Sequence, residues 1–219
     1  MAVLFTRLRK GAGAVWRGYV RHPFVEALAD GTLSRTAFSS FLVQDYLFLI
    51  QYARAYALLA YKLEHLPDIQ TALETARALI ETEMPLHVKY CAGWGIFEVE
   101  MRAAPPALET LAYTRFVLEV GFTGDALDLL VALAPCIAGY AQIGAWAAAQ
   151  TSSANPYQGW INTYTGEDYL KSVDALLAMI DRVGAALGAE ARWSRLQDTF
   201  TQATRLETAF WNTGWALQN

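Results

Sequence analysis

The stretch Leu129–Ala149, LLVALAPCIAGYAQIGAWAAA, contains no Asp, Glu, Lys, Arg or His, and the run without them continues to Gly166. At roughly 20 residues it is long enough to cross a bilayer. Its make-up argues otherwise. It is rich in Ala and Gly, Gln142 lies inside it, Asp125 and Asp128 stand at one end, and no Lys or Arg flanks it. A membrane span is expected to carry basic flanks. A helix that is apolar all round and buried at the centre of a bundle fits better.

Working outward from that helix, the periodicity is helical throughout and no alternating strand stands out. Residues 3–20 read as a first helix and His22-Pro23-Phe24 opens a short one ending near Asp30-Gly31. Ser34 caps a long helix to about Leu63. Pro67 starts the next, which is expected to run to about Ala92 with a kink at Pro85. Gly93-Trp94-Gly95 is a break, and a further helix is expected over 105–121, closed by Gly121-Phe-Thr-Gly124. The central helix spans roughly 125–150 and the loop TSSANPYQ follows it. A short piece, YQGWINTY, precedes a helix begun at Thr165 or Gly166 and ended by Gly188, and the last helix runs from about Glu190 to Trp215. No repeat or linker interrupts this, so residues 1–219 are read as one all-α domain, a multi-helix bundle.

Apolar residues make up 54% of the chain and charged ones only 17%, too few to coat a monomer of this size. Apolar surface hidden between subunits is therefore expected, hence a homo-oligomer. A net charge of −4 offers no basic footprint for nucleic acid. Two cysteines, Cys91 and Cys136, form neither a disulfide framework nor a metal knuckle and suit a reducing cytoplasm. The N-terminus reads as a helix and not as a signal peptide.

Helical spacing places candidate chemistry on shared faces. Cys136 faces with Tyr140, Asp45 with Phe48 and, a turn further, Tyr52; Glu83 pairs with His87, and Glu207 lines up with Phe210 and Trp211. Each has a plain alternative. Cys136 alone reads as a small core hydrophobe or as a nucleophile. Asp45, inside FLVQDYLFLI, must find donors, reach solvent or face a cavity, because an unpaired buried carboxylate is costly. Glu207 can be a surface residue paired with Arg205 or a neighbour, and Glu83 with His87 metal ligands, a helix-surface pair or a satisfied core histidine. Tyr113, Tyr140 and Tyr164 are core aromatics by default.

In order along the chain stand HPF at 22–24, QDYLFL at 44–49, Glu83 with His87, AYT at 112–114, PCIAGYAQIG at 135–144, NPYQGWINTY at 155–164 and ETAFW at 207–211. Together these resemble the TenA, or thiaminase II, family of haem-oxygenase-like helical bundles. The resemblance implies a cofactor-free hydrolase of 4-amino-2-methylpyrimidines. Such an enzyme converts 4-amino-5-aminomethyl-2-methylpyrimidine and water to the 5-hydroxymethyl pyrimidine and ammonia for thiamin salvage, with thiamin a slower substrate. It implies Cys136 as nucleophile, Glu207 as acid/base, and Tyr140 and Tyr164 as hydroxyls near the thiol that also contact substrate. Asp45 would hold the aminopyrimidine edge, and Phe48, Tyr113 and Phe210 would wall the ring. Glu83 and His87 are given a structural role, no metal is expected, and a homotetramer is. The chain departs from the resemblance at Ile137 and Ala138, smaller than the aromatics often found there, and at Gln142 and Asn162, where acidic residues are common.

Three other readings compete. A haem-oxygenase-like di-metal oxidase needs histidines on several helices, yet the chain has only His22, His65 and His87. A haem binder needs one axial histidine, for which His22 is the candidate. A non-catalytic helical regulator or pyrimidine-binding protein needs neither Cys136 nor Glu207.

Overall fold

The computed structural model describes residues 3–152 and 154–218, and among these there are helices and no strand. The expected helices form in the expected order. Helix α1 spans Val3–Val20, α2 Pro23–Asp30 and α3 Arg35–Lys62. Ser34 caps α3, its hydroxyl accepting from the Ala37 amide at 3.1 Å. The charge-free helix α8, Ala126–Gln150, starts at Asp125, whose carboxylate accepts from the amides of Leu127 and Asp128. Then come α9, Gln158–Thr165, and α10, Glu167–Ala186.

Four boundaries differ from the expectation, each for a physical reason. The helix from Pro67 is not one kinked rod. Helix α4, Leu66–Ala78, passes through a π-helical turn, Leu79–Glu83, into α5, Met84–Ala92. Pro85 lacks an amide hydrogen and its ring would collide with the carbonyl four residues back, which a widened turn absorbs. A short helix α6, Glu98–Ala103, follows, capped where Glu100 accepts from the Phe97 amide at 2.8 Å. Helix α7 begins at Leu108, after Pro105-Pro106, and runs to Thr123, straight through Gly121. A Cβ at Gly121 would lie 2.8 Å from Leu58 Cδ2, so this glycine serves helix packing and does not end the helix. Before the last helix, α11 (Trp193–Trp215), residues 189–192 make a 3₁₀ turn.

Helix α8 is the centre of the molecule. It is the one described helix long and apolar enough to cross a membrane, and most of it is buried inside the bundle. It packs against α1, α2, α3, α7, α9, α10 and α11. Gly139 lets α1 approach, since a Cβ there would lie 2.3 Å from the Tyr19 ring. Three tyrosine hydroxyls donate to α8 carbonyls on either side of Cys136. Tyr52 of α3 reaches Leu133 at 2.7 Å, Tyr19 of α1 reaches Pro135 at 3.4 Å and Tyr169 of α10 reaches Ile137 at 2.8 Å. The backbone that carries the thiol is thus fixed from three other helices.

Candidate active site

A cavity of about 490 Å³ opens between α3, the π-helical turn, α8, α9 and α10. Its inner wall holds Asp45, Tyr52, Glu83, Cys136 and Tyr140, and its rim includes Thr82, Asn162, Glu167 and Asp168. Cys136 is half-buried at this wall. Burial pushes its thiol well above the ordinary value, and the charges of Glu207 and Glu83 add to the effect; contact with the Tyr52 hydroxyl works the other way.

The carboxylates are tied into three bonds between distant segments. Asp45 Oδ2 lies 2.6 Å from His87 Nε2, and His87 Nδ1 donates to the Glu83 carbonyl at 2.8 Å. Glu83 Oε1 accepts from the Tyr164 hydroxyl at 2.5 Å. Glu207 Oε1 accepts from the Tyr113 hydroxyl at 2.8 Å. Glu207 is 1% exposed, so it is not the surface residue that its neighbour Arg205 suggests. Burial pushes Glu207 up to about 8 and Glu83 up to about 7, with the charge of Asp45 contributing to both. Both are poised to exchange protons near neutral pH.

The cavity wall brings together three of the expected residues, Cys136, Asp45 and Tyr140. The others stand one layer behind it. Tyr164 packs on Tyr140, ring centroids 4.9 Å apart, and reaches the cavity through Glu83. Phe48 packs on Tyr113 at 4.9 Å and on Phe210 at 5.4 Å, forming an aromatic block beside Glu207. Ile137 and Asn162 line the cavity, whereas Gln142 is turned away and accepts from the Trp16 indole at 3.0 Å.

Ligand atoms of Asp45, Glu83 and His87 lie within 4.8 Å of one another, a spacing that suits a metal. Their own bonds already engage both imidazole nitrogens, one oxygen of Asp45 and one of Glu83, so the trio reads as a hydrogen-bonded relay. His22 is likewise engaged at both nitrogens, accepting from the Phe24 amide and lying 3.1 Å from Asn212 Oδ1. That leaves neither for a haem iron.

Residues 10–217 match the TENA/THI-4/PQQC family. The chain belongs to that family. It is 35% identical to an aminopyrimidine aminohydrolase of Halalkalibacterium halodurans, covering 94% of this chain and 92% of the relative. A solved structure from Silicibacter, described as a TenA family transcription regulator, superposes with a TM-score of 0.92 at 44% identity, covering 97% of this chain and 96% of that one. A domain of unknown function from Shewanella denitrificans, described as having a heme oxygenase-like fold, superposes with a TM-score of 0.74 at 14% identity over 97% and 92%. This TENA/THI-4/PQQC chain therefore has the haem-oxygenase-like all-α fold, and every site residue named above lies inside the matched span.

Two cavity residues of this family member had no role assigned from sequence. Tyr52 follows Asp45 by two helical turns on the same face of α3, which was the available signal. Tyr169 enters from α10, and nothing in its local sequence marks it.

Proposed function

We propose that the chain is an aminopyrimidine aminohydrolase of thiamin salvage. It hydrolyses 4-amino-5-aminomethyl-2-methylpyrimidine to the 5-hydroxymethyl compound and ammonia, and acts weakly on thiamin. One observation carries the reading: a single thiol on a cavity wall, close to one buried and one half-buried carboxyl, Glu207 and Glu83, both held near neutral pKa values.

The chemistry follows from that arrangement. Losing an amine from an aromatic methylene is slow while the ring stays aromatic. Addition of the Cys136 sulfur to the ring removes that obstacle, which is nucleophilic catalysis. Glu207 takes the thiol proton and returns a proton to the departing amine, then draws one from the attacking water. Asp45 accepts from the pyrimidine amino group. Tyr140 and, through Glu83, Tyr164 orient the reacting end. Phe48, Tyr113 and Phe210 form the aromatic block that backs the ring from one layer behind the cavity wall, and Tyr113 also holds Glu207 in place. No step calls on a metal or cofactor.

Exposed Tyr61, Leu66, Val99, Leu108 and Phe122 supply apolar surface for self-association, and we assign a homotetramer in the cytoplasm, where the free thiols Cys91 and Cys136 stay reduced. The test is ammonia release from the aminomethyl substrate by wild type beside Cys136→Ser and Glu207→Gln. Release by wild type and its loss in both variants is expected. A folded wild type that releases none overturns the assignment.

A further inference from the structure

His87 is 0% exposed and stands between two acceptors. Nδ1 faces the Glu83 carbonyl at 2.8 Å, and a carbonyl can only accept, so Nδ1 carries a hydrogen. Nε2 faces Asp45 Oδ2 at 2.6 Å. Two lone pairs do not approach that closely, so a proton lies between them. One oxygen of Asp45 is thereby used up, and Asp45 itself borders the cavity.

Resting on the function proposed above, we infer that His87 is a positioning residue. As an imidazolium it fixes Asp45 as an anion with its second oxygen left for substrate, so that the site selects the ring-protonated form of the aminopyrimidine. The edge of a neutral 4-aminopyrimidine offers an amino N–H beside a ring nitrogen lone pair, and the free oxygen of an anionic Asp45 accepts from the first but is repelled by the second. Once that nitrogen is protonated, both N–H groups converge on that oxygen, which has a lone pair for each. The cation is also the better electrophile. Once Glu207 has taken the thiol proton, the Cys136 sulfur bonds to the ring carbon beside the one bearing the methylene, and the displaced π pair settles on the already protonated ring nitrogen. The nitrogen pair then drives out the amine, which takes its proton from Glu207.

The electrostatics agree. Burial opposes a charge on His87, but the bond and charge of Asp45, with the charge of Glu83, outweigh it and raise its pKa. Glu83 on the π-helical turn, Cys136 and Tyr140 on α8, Tyr164 on α9 and Glu207 on α11 all feel the charge of Asp45. Among these neighbours His87 supplies the one cation.

Two measurements on wild type decide the matter. Calorimetry compares 4-amino-5-hydroxymethyl-2-methylpyrimidine with its 2-trifluoromethyl analogue, whose ring is far less basic. Binding at least tenfold tighter for the methyl compound is expected, and equal Kd values overturn the inference. Nitrogen NMR of histidine-labelled protein at pH 7 is expected to show His87 protonated at both ring nitrogens; a neutral ring overturns it. In His87→Gln, which can donate to Asp45 but carries no charge, the preference between the two ligands is expected to shrink below threefold, with far-UV circular dichroism checking the fold. A wild type that releases ammonia but ignores ring basicity defeats this inference alone. A wild type that releases none defeats the proposed function, while the NMR result still decides the charge on His87.

Discussion

Tyr113 donates its phenolic hydrogen to Glu207 Oε1 at 2.8 Å across 94 residues of sequence. That bond favours the ionised carboxylate and opposes the burial that pushes Glu207 up to about 8. Tyr113→Phe is therefore expected to push Glu207 higher still. A hydrogen bond to a charged group is worth about 1.5–3 kcal/mol, or roughly a 10- to 100-fold loss of the ionised form at neutral pH. The activity–pH profile of the variant should keep its shape with its ascending limb moved upward. An unmoved limb would show that Glu207 is not the group being titrated.

The same value predicts the limb in wild type. If Glu207 must be ionised to take the thiol proton, kcat rises as pH climbs through about 8, while kcat/KM carries in addition the falling share of ring-protonated free substrate. In Glu207→Gln the limb disappears together with most of the activity, a drop on the order of 10²–10⁴-fold. Initial rates of ammonia release from pH 6 to 9.5, on both proteins in one buffer series, provide the check.

Stability should move oppositely to activity. The folded-state pKa of Glu207 is raised above its unfolded value, so the folded protein holds that proton more tightly. The resulting stabilisation is complete below the unfolded pKa, near 4.3, and is lost as pH rises through about 8. Glu83, raised to about 7, adds a loss of the same sign. Glu207→Gln keeps an oxygen to accept from Tyr113 and removes the buried charge. At pH 8 to 9 it is expected to unfold at higher denaturant than wild type, by roughly 1–3 kcal/mol, and near pH 5 the difference should vanish.

Much of the fold can be read from local sequence because its signals are local. Ser34, Pro23, Asp125 and Gly188 mark helix ends within a few residues of where they occur. Helix α6 has only six residues, too few to show a period, and its cap joins Phe97 to Glu100 without a small polar residue to announce it. Gly121 looks like a break in sequence, yet the structure uses it to bring α7 against Leu58. In the site, the residue types are legible and their partners are not. Asp45 meets His87 over 42 residues, Tyr164 meets Glu83 over 81, and Tyr113 meets Glu207 over 94. Such pairings are set by the packing of α3, α7, α8, α9 and α11, which periodicity alone does not specify.

Cys136→Ser tests the sulfur separately from its setting. The thiol is half-buried at the cavity wall, so the exchange should change stability by less than about 1 kcal/mol. A serine hydroxyl is a far poorer nucleophile at neutral pH, and a loss of activity of at least about 10³-fold is expected with the Kd for the hydroxymethyl product nearly unchanged. Activity that persists would make Cys136 a packing residue and leave Glu207 to activate water directly.

Tyr52 isolates how that sulfur is activated. Its hydroxyl donates to the Leu133 carbonyl at 2.7 Å, three residues before Cys136, and its contact with the thiol is the largest influence drawing the Cys136 pKa down. When the thiolate forms, turning the Tyr52 hydrogen from the carbonyl to the sulfur stabilises the anion at the cost of one backbone bond. Tyr52→Phe removes both options and leaves the ring packing with Phe48 and Tyr56 in place. The thiol pKa should rise further, so alkylation of Cys136 by iodoacetamide, measured against pH, should slow roughly tenfold at pH 8. Ammonia release should fall with it, while the Kd for the hydroxymethyl product stays within about threefold of wild type, since Asp45 and His87 are untouched. Slower turnover with unchanged alkylation would mean that Tyr52 acts only by holding α8, and the activation of Cys136 would then fall to Glu207 alone.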